Sequence, residues 1–274
     1  MKTQRLLVLL IFVSCVTVDE EGKRIEFTSS YSQKEWSIHE ISVGPRWLDR
    51  EKEIPLLILS RDVNLPVEYV LKDLPDVRDQ GRQASSTAFA VGYLTMSYHM
   101  QRKGHKQYIC SPSFVYNLLN NGKDEGIEVI DALYLLKDTG CPSETLFPYI
   151  EYDYRIQPTP EVINSASSYR IKGFARIDPT DVFQIATLIY QNNILIATIF
   201  ITENFLNLKE KEYTPKGRLI GKHTIGVVGY NLEKRKYIAQ NSAGKKWGDN
   251  GYFWISHLWF ERLVVSSYAI LDQN

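Results

Sequence analysis

Ser86 sits in the stretch "DQGRQASSTAFA", which reads as the entrance to a helix, with Gln80 six residues before it. His223 follows 137 positions later (223 − 86), opening the strand-like run "HTIGVVGYN", and Asn241 closes the next such run, "KYIAQNS". A hydroxyl, an imidazole and two carboxamides are ingredients of nucleophilic catalysis at a carbonyl. Singly, each has a plainer explanation. Ser86 serves as well as a helix cap, His223 as a satisfied interior histidine, and Gln80 and Asn241 as structural hydrogen-bonders. Their joint order and spacing is what needs a common cause.

The elements that must position them follow from periodicity. Apolar residues after Ser85 and Ser86, either of which can cap, include Ala88, Phe89, Val91, Leu94 and Met96; Arg102, Lys103 and Gly104 supply a stop. "GIEVIDALYLLKDTG" predicts a second helix ending at Gly140, and "PTDVFQIATLIYQNN" a third with Asp181 as an early acidic residue or cap. The pattern then changes. "ILIATIFI", "HTIGVVGYN", "KYIAQNS", "GYFWIS" and "SSYAILD" are short, β-branched and aromatic, with turns such as "NLEKRK" and "GDNG" between them. Helices first and antiparallel strands later predict an α+β domain of two lobes, a helical one and a β-barrel-like one, with a cleft between them.

Read together with "LFPY", which closes the second helical unit, these three stretches resemble the papain-like cysteine peptidases over roughly residues 65–274. That family's pattern is Q-G-x-C-G-S-C-W-A-F, then G-x-H-A, then N-S-W-G-x-x-W-G-x-x-G-Y. Gln80, Gly81, Ala88, Phe89, His223, Asn241, Ser242, Gly244, Trp247, Gly248, Gly251 and Tyr252 fall on it in register. The resemblance implies a papain-like fold with Gln80 as oxyanion donor, His223 as base and Asn241 as the residue orienting it. Gly126 falls near the glycine pair that meets the substrate backbone, with Glu125 in place of one glycine.

The departures lie close to the chemistry. Ser86 stands at the position of the thiol, Thr87 at that of the adjacent tryptophan and Ala84 at that of a packing glycine. Ala243 replaces the tryptophan that covers the asparagine–histidine bond, which predicts water competing there. Gln83 replaces a cysteine, so that disulfide of the family is absent. A serine hydroxyl loses its proton far less readily than a thiol, whose free pKa is about 8.5. A helix N-terminus contributes roughly 0.3–1 kcal/mol, too little to close that gap, and a neutral asparagine adds orientation without charge. These changes predict an inactive or severely weakened homologue that keeps a cleft for a peptide or protein ligand. The alternative is a hydrolase that uses Ser86, His223 and Asn241 to cleave peptide or ester bonds. Lys222, Lys245 and Lys246 flank the site segments; they form a basic cleft rim unless they are simply solvated.

Composition narrows the rest. Thirty-two basic residues balance 32 acidic ones, which gives no reason to expect nucleic acid as a partner. Residues 1–15, "MKTQRLLVLLIFVSC", read as an export signal whose apolar run is too short to span a bilayer. Its end resembles the cleavage box of a bacterial lipoprotein, with Cys15 as the lipidated residue and the lipid as the sole membrane contact. The alternative is ordinary secretion. Residues 16–64 read as a charged extension and 65–274 as the peptidase-like domain. Cys110 and Cys141 are either one disulfide or two buried thiols. His39, His99, His105 and His257 lack metal-ligand spacing, and no phosphate-cradling loop occurs, so no metal or cofactor is expected.

Overall fold

The computed structural model describes residues 50–271, together with the backbone of two short strands that pair antiparallel, β1 (Thr17–Val18) and β2 (Arg24–Ile25). The export signal, Cys15 and His39 lie outside the described residues.

The helix that begins at Ser86, α1, runs through residues 86–102 in three turns-types: α-helical at Ser86–Ala88, i→i+5 bonded over Phe89–Met96, and α-helical again at Ser97–Arg102. Thr87 to Met100 are all buried, as expected of a helix with no polar face. Its two sides serve different cores. Phe89, Tyr93 and Leu94 pack into the sheet lobe with Ile185, Ile199, Val227 and Phe253. Ala88, Val91, Met96 and Met100 pack into the helical lobe with Phe114, Leu133 and Leu136. A Cβ on Gly92 would come within 3.0 Å of the Cys110 sulfur and 3.1 Å of Val115, so glycine lets the helical lobe close onto α1.

The helical lobe adds α2 (Pro112–Leu119), α3 (Val129–Asp138) and α4 (Pro160–Ala166). Ser111 caps α2 by accepting from the Phe114 N–H at 3.0 Å, and Pro112 takes the first helical position, where its missing N–H costs nothing. Cys110 and Cys141 form a disulfide, tying the start of α2 to the chain leaving α3.

The sheet lobe contains β3 (Glu68–Val70), β4 (Gly173–Arg176), α5 (Val182–Tyr190), β5 (Leu195–Thr202), β6 (Leu219–Asn231), β7 (Lys236–Gln240), β8 (Tyr252–Ser256), α6 (His257–Leu263) and β9 (Val264–Leu271). The strands run antiparallel in the order β4-β9-β5-β6-β7-β8, with β3 also on β6. Register shifts interrupt the β5–β6, β5–β9 and β6–β7 ladders, and such bulges coil a sheet. Asp181 caps α5 by accepting from the Gln184 N–H at 3.1 Å.

Residues 50–64, read from sequence as part of an extension, pack against the domain. Ile54 is buried in the helical lobe's core, the Leu57 N–H donates to the Arg176 carbonyl, and Leu59 exchanges two hydrogen bonds with the Gln184 amide.

Candidate active site

Ser86 and His223 meet because α1 ends its N-terminal side against β6. The segment before Ser86 is held by a dense set of bonds. The Gln80 N–H donates to the Ser242 carbonyl at 2.8 Å, and the Ser242 hydroxyl donates to Gln80 Oε1 at 2.5 Å. Gln80 Nε2 donates to the Gln83 carbonyl at 2.8 Å, which occupies one of its two N–H groups and leaves the other for a ligand. The Tyr149 hydroxyl donates to the Gln80 carbonyl at 2.7 Å. Its single proton is thereby used, so the Ser85 hydroxyl, 2.9 Å away, is the donor of that pair. The expected serine cap is thus not made: Ser85 turns to Tyr149, and its side chain caps no helical N–H. Tyr149 belongs to the "LFPY" segment, and nothing in its spacing marked it as the clamp on the Gln80–Ser85 loop.

On the sheet side, His223 Nε2 and Asn241 Oδ1 lie 2.7 Å apart. The same Asn241 oxygen accepts from the Ser242 N–H at 2.8 Å, a donor that requires an oxygen and so fixes the amide's orientation. His223 Nε2 must therefore carry the proton, which leaves the lone pair on Nδ1, the arrangement of a general base. The imidazole is only partly reached by solvent. Burial pushes its pKa below the ordinary imidazole value, and the bond to Asn241 opposes that fall without overcoming it. At neutral pH the ring is uncharged.

Ser86 and His223 share no hydrogen bond with one another. Ser86 Oγ accepts from the Thr224 N–H at 3.3 Å. Beside it, the Thr87 and Thr224 hydroxyls lie 2.9 Å apart and those of Thr224 and Thr198 lie 3.2 Å apart, a chain of three hydroxyls crossing from α1 to β6 to β5. Thr224 went unnoticed in the sequence, although it stands where the resembled G-x-H-A pattern has alanine. Thr87 and Thr224 fill the space between the lobes as a bonded pair.

The cleft between the lobes encloses about 420 Å³ and is lined by Gln80, Ser86, Thr87 and Gly126 from one side and by Thr198, His223 and Thr224 from the other. Gly126 has φ +90°, and an added Cβ would stand 3.8 Å from the Ala84 carbonyl: the backbone conformation, more than crowding, calls for glycine. The basic rim is not assembled. Lys222 lines the cleft, but Lys245 pairs with Asp76 at 3.4 Å, and Lys246, whose carbonyl accepts from Lys209, is not part of the lining. Glu125, Glu128 and Asp131 line the wall, Asp131 being paired with Arg50 at 2.6 Å.

Asn241 and its neighbourhood also depart from expectation. Ala243 leaves no tryptophan cover, yet Asn241 is only 4% exposed. Phe205 packs against the imidazole instead, with ring centroids 5.4 Å apart. At Gln83 the side-chain amide is 1% exposed and neither its nitrogen nor its oxygen has a partner. Among the described residues, no group of three or more His, Cys, Asp or Glu side chains is placed to hold a metal ion.

Residues 68–268 match the model of the papain family of cysteine proteases. The chain belongs to that family. Among curated relatives of this papain-family chain, an uncharacterized peptidase C1-like protein of Acanthamoeba polyphaga mimivirus is 26% identical over 196 residues, covering 64% of this chain and 62% of that protein. Peptidase 1 of Dermatophagoides farinae is 24% identical over 204 residues, covering 69% and 60%. The chain thus spans about three-fifths of the length of these relatives. Among solved structures, xylellain, a cysteine protease from Xylella fastidiosa, superposes with a TM-score of 0.73 at 22% identity, over 81% of this chain and 92% of that one. The bromelain protease from Ananas comosus, in complex with the E64 inhibitor, gives 0.62 at 20% identity, over 76% and 100%. The fold is the papain-like two-lobed α+β fold.

Proposed function

We propose that this papain-family homologue is exported and binds peptide in its interlobe cleft with little or no turnover. The observation that carries the reading is the disposition of Ser86: its oxygen accepts from a backbone N–H and has no bond to the imidazole that would have to take its proton. An alcohol needs a base in contact during attack, because neither the helix end nor a neutral asparagine can hold it as the anion. The cleft itself supports binding. Gln80 keeps one amide N–H unused by its internal bonds, Gly126 leaves backbone space, and the bromelain structure has an inhibitor in complex with the same fold.

Export rests on the sequence of residues 1–15, with Cys15 as the lipidation site that would place the protein on a bacterial envelope. Among the described residues no helix is long and apolar enough to cross a membrane.

One observation favours a second reading, a serine-type hydrolase. The base and its orienting residue are fully assembled, with the lone pair on Nδ1. A peptide-library assay scored for both retention and cleavage separates the two. The binding reading expects saturable retention without product, and Ser86→Cys to raise turnover by at least about tenfold, which is about 1.4 kcal/mol of barrier. Wild-type turnover that disappears in both Ser86→Ala and His223→Ala establishes the hydrolase instead.

A further inference from the structure

The geometry points to Asp124 as a positioning residue that, together with Tyr116, braces two strips of the cleft wall against each other, the Gln80–Ser86 loop and the backbone at Gly126. Asp124 Oδ1 accepts from the Ala84 N–H at 2.8 Å and from the Tyr116 hydroxyl at 2.5 Å. The Tyr116 oxygen in turn accepts from the Gly126 N–H at 3.4 Å. Ala84 and Gly126 both line the cleft. An added Cβ on Gly126 would stand 3.8 Å from the Ala84 carbonyl, so the two strips lie close together. The Gln80–Ser86 loop has no disulfide to hold it, because Gln83 stands where the resembled pattern has cysteine.

Local chemistry delivers the carboxylate to this place. After α2 the chain turns at Asn120, whose carbonyl accepts from the Lys123 N–H at 3.0 Å and whose Oδ1 accepts from the Gly122 N–H at 2.8 Å. The Asn120 amide donates to the Tyr154 carbonyl at 2.7 Å, which anchors the turn. Asn121 and Gly122 take φ values of +52° and +73°, conformations that these residue types tolerate. Tyr116 is fully buried on α2, so it is a fixed point and not a loop side chain. Burial, the bond to Asp124 and the charge of Asp124 all raise its pKa, so the phenol keeps its proton and remains the donor. A hydroxyl donating to a carboxylate makes a short, strong bond. The relay is therefore firm from Ala84 to the core of the helical lobe and weaker at Gly126. Without the carboxylate, the Ala84 N–H loses its acceptor and the two strips can part.

The consequence for a ligand rests on the peptide-binding reading above; the brace itself does not. Amide hydrogen exchange in the full chain, read alongside retention from the peptide library, tests both. Asp124→Ala should speed exchange of the Ala84 and Gly126 amides by at least about tenfold and lower peptide retention by at least about fivefold. Amides of the β6–β7 ladder should exchange as before, which a general loosening of the fold would not allow. Asp124→Asn keeps an acceptor oxygen and should hold exchange and retention within about threefold of wild type. Tyr116→Phe should release the Gly126 amide and leave that of Ala84 protected. If Asp124→Ala fails to fold, these two variants, which barely change side-chain volume, decide the matter. A wild type that retains no peptide would defeat the binding reading and leave the exchange rates to decide the brace. The assignment is overturned by unchanged Ala84 exchange in folded Asp124→Ala, or by equal release of both amides in Tyr116→Phe. Asp124→Asn behaving as Asp124→Ala should, or retention unchanged in Asp124→Ala when the wild type binds, would overturn it too.

Discussion

The two walls of the cleft carry their functional groups in different ways. On the sheet wall, His223 and Asn241 end up 2.7 Å apart because β6 and β7 are paired, with Gly226 opposite Gln240 in register, and because aromatic packing lies behind them. Their relation is a property of the sheet. On the helix wall, what happens at residues 86 and 87 depends on side-chain identity: a backbone N–H engages the Ser86 hydroxyl and a neighbouring hydroxyl engages Thr87. The base is therefore oriented by contacts that do not involve residue 86.

Four measurements break or sharpen that contrast. The largest effect is expected for Trp247→Ala. It removes a buried indole that contacts Phe205 and Phe253 and donates to the Phe205 carbonyl; urea unfolding should show a loss of about 3–5 kcal/mol. A loss under about 1 kcal/mol would mean the sheet wall does not depend on its aromatic backing. Next comes the helical lobe's covalent tie. Opening the Cys110–Cys141 bridge, whose partners are 31 positions apart, should cost roughly 3–4 kcal/mol on the loop-entropy model. The same experiment should leave the His223 titration unchanged, since the bridge belongs to the other lobe.

Asn241→Ala deprives the His223 Nε2–H of its acceptor, at an expected cost of about 1–3 kcal/mol. Because the asparagine bond raises the proton affinity of His223, its loss should depress that affinity further. An imidazole that instead moves up toward its ordinary value would show that water fills the gap. The smallest effect is the Thr87–Thr224 coupling. A double-mutant cycle with valine at each position should return about 0.5–1.5 kcal/mol, and zero would make the hydroxyl chain incidental.

Acid sensitivity offers a further check with a defined sign. His223 and His257 both have depressed pKa values in the fold, His257 at about 4 because burial excludes its charged form. The folded protein thus holds fewer protons than the unfolded chain below the ordinary imidazole value of about 6.5. Stability should be full above that value and decline as the pH falls from about 6.5 toward 4. His257→Gln should flatten part of that decline in thermal unfolding measured across the window.

Much of this was legible in the residues. The switch from helical to alternating periodicity near residue 194 marks the strands, and Asp181 and Gly140 punctuate helices where expected. The four candidate residues could be named together because they occur in order and at family spacing; the fold brings Gln80, Ser86 and His223 to one cleft and places Asn241 against His223. What was missed depends on distant contacts. The starts of α2 at Ser111-Pro112 and of α6 after Ser256 are the exceptions, since a serine caps each locally. Phe205 and Tyr149 have no local signature and Thr224 shows only as a departure from the alanine of G-x-H-A: each matters through a partner elsewhere in the chain, respectively His223, the Gln80 loop and Ser86. The weakly patterned residues 50–64 read as an extension because their few apolar side chains, such as Ile54, are spent on surfaces built by other segments.

The place of β9 in the sheet has a consequence for biosynthesis. It lies between β4 and β5, so the last of the described strands is the one that joins two parts of the sheet. A nascent chain still short of Val264 has two open edges and cannot complete its hydrogen-bond ladder.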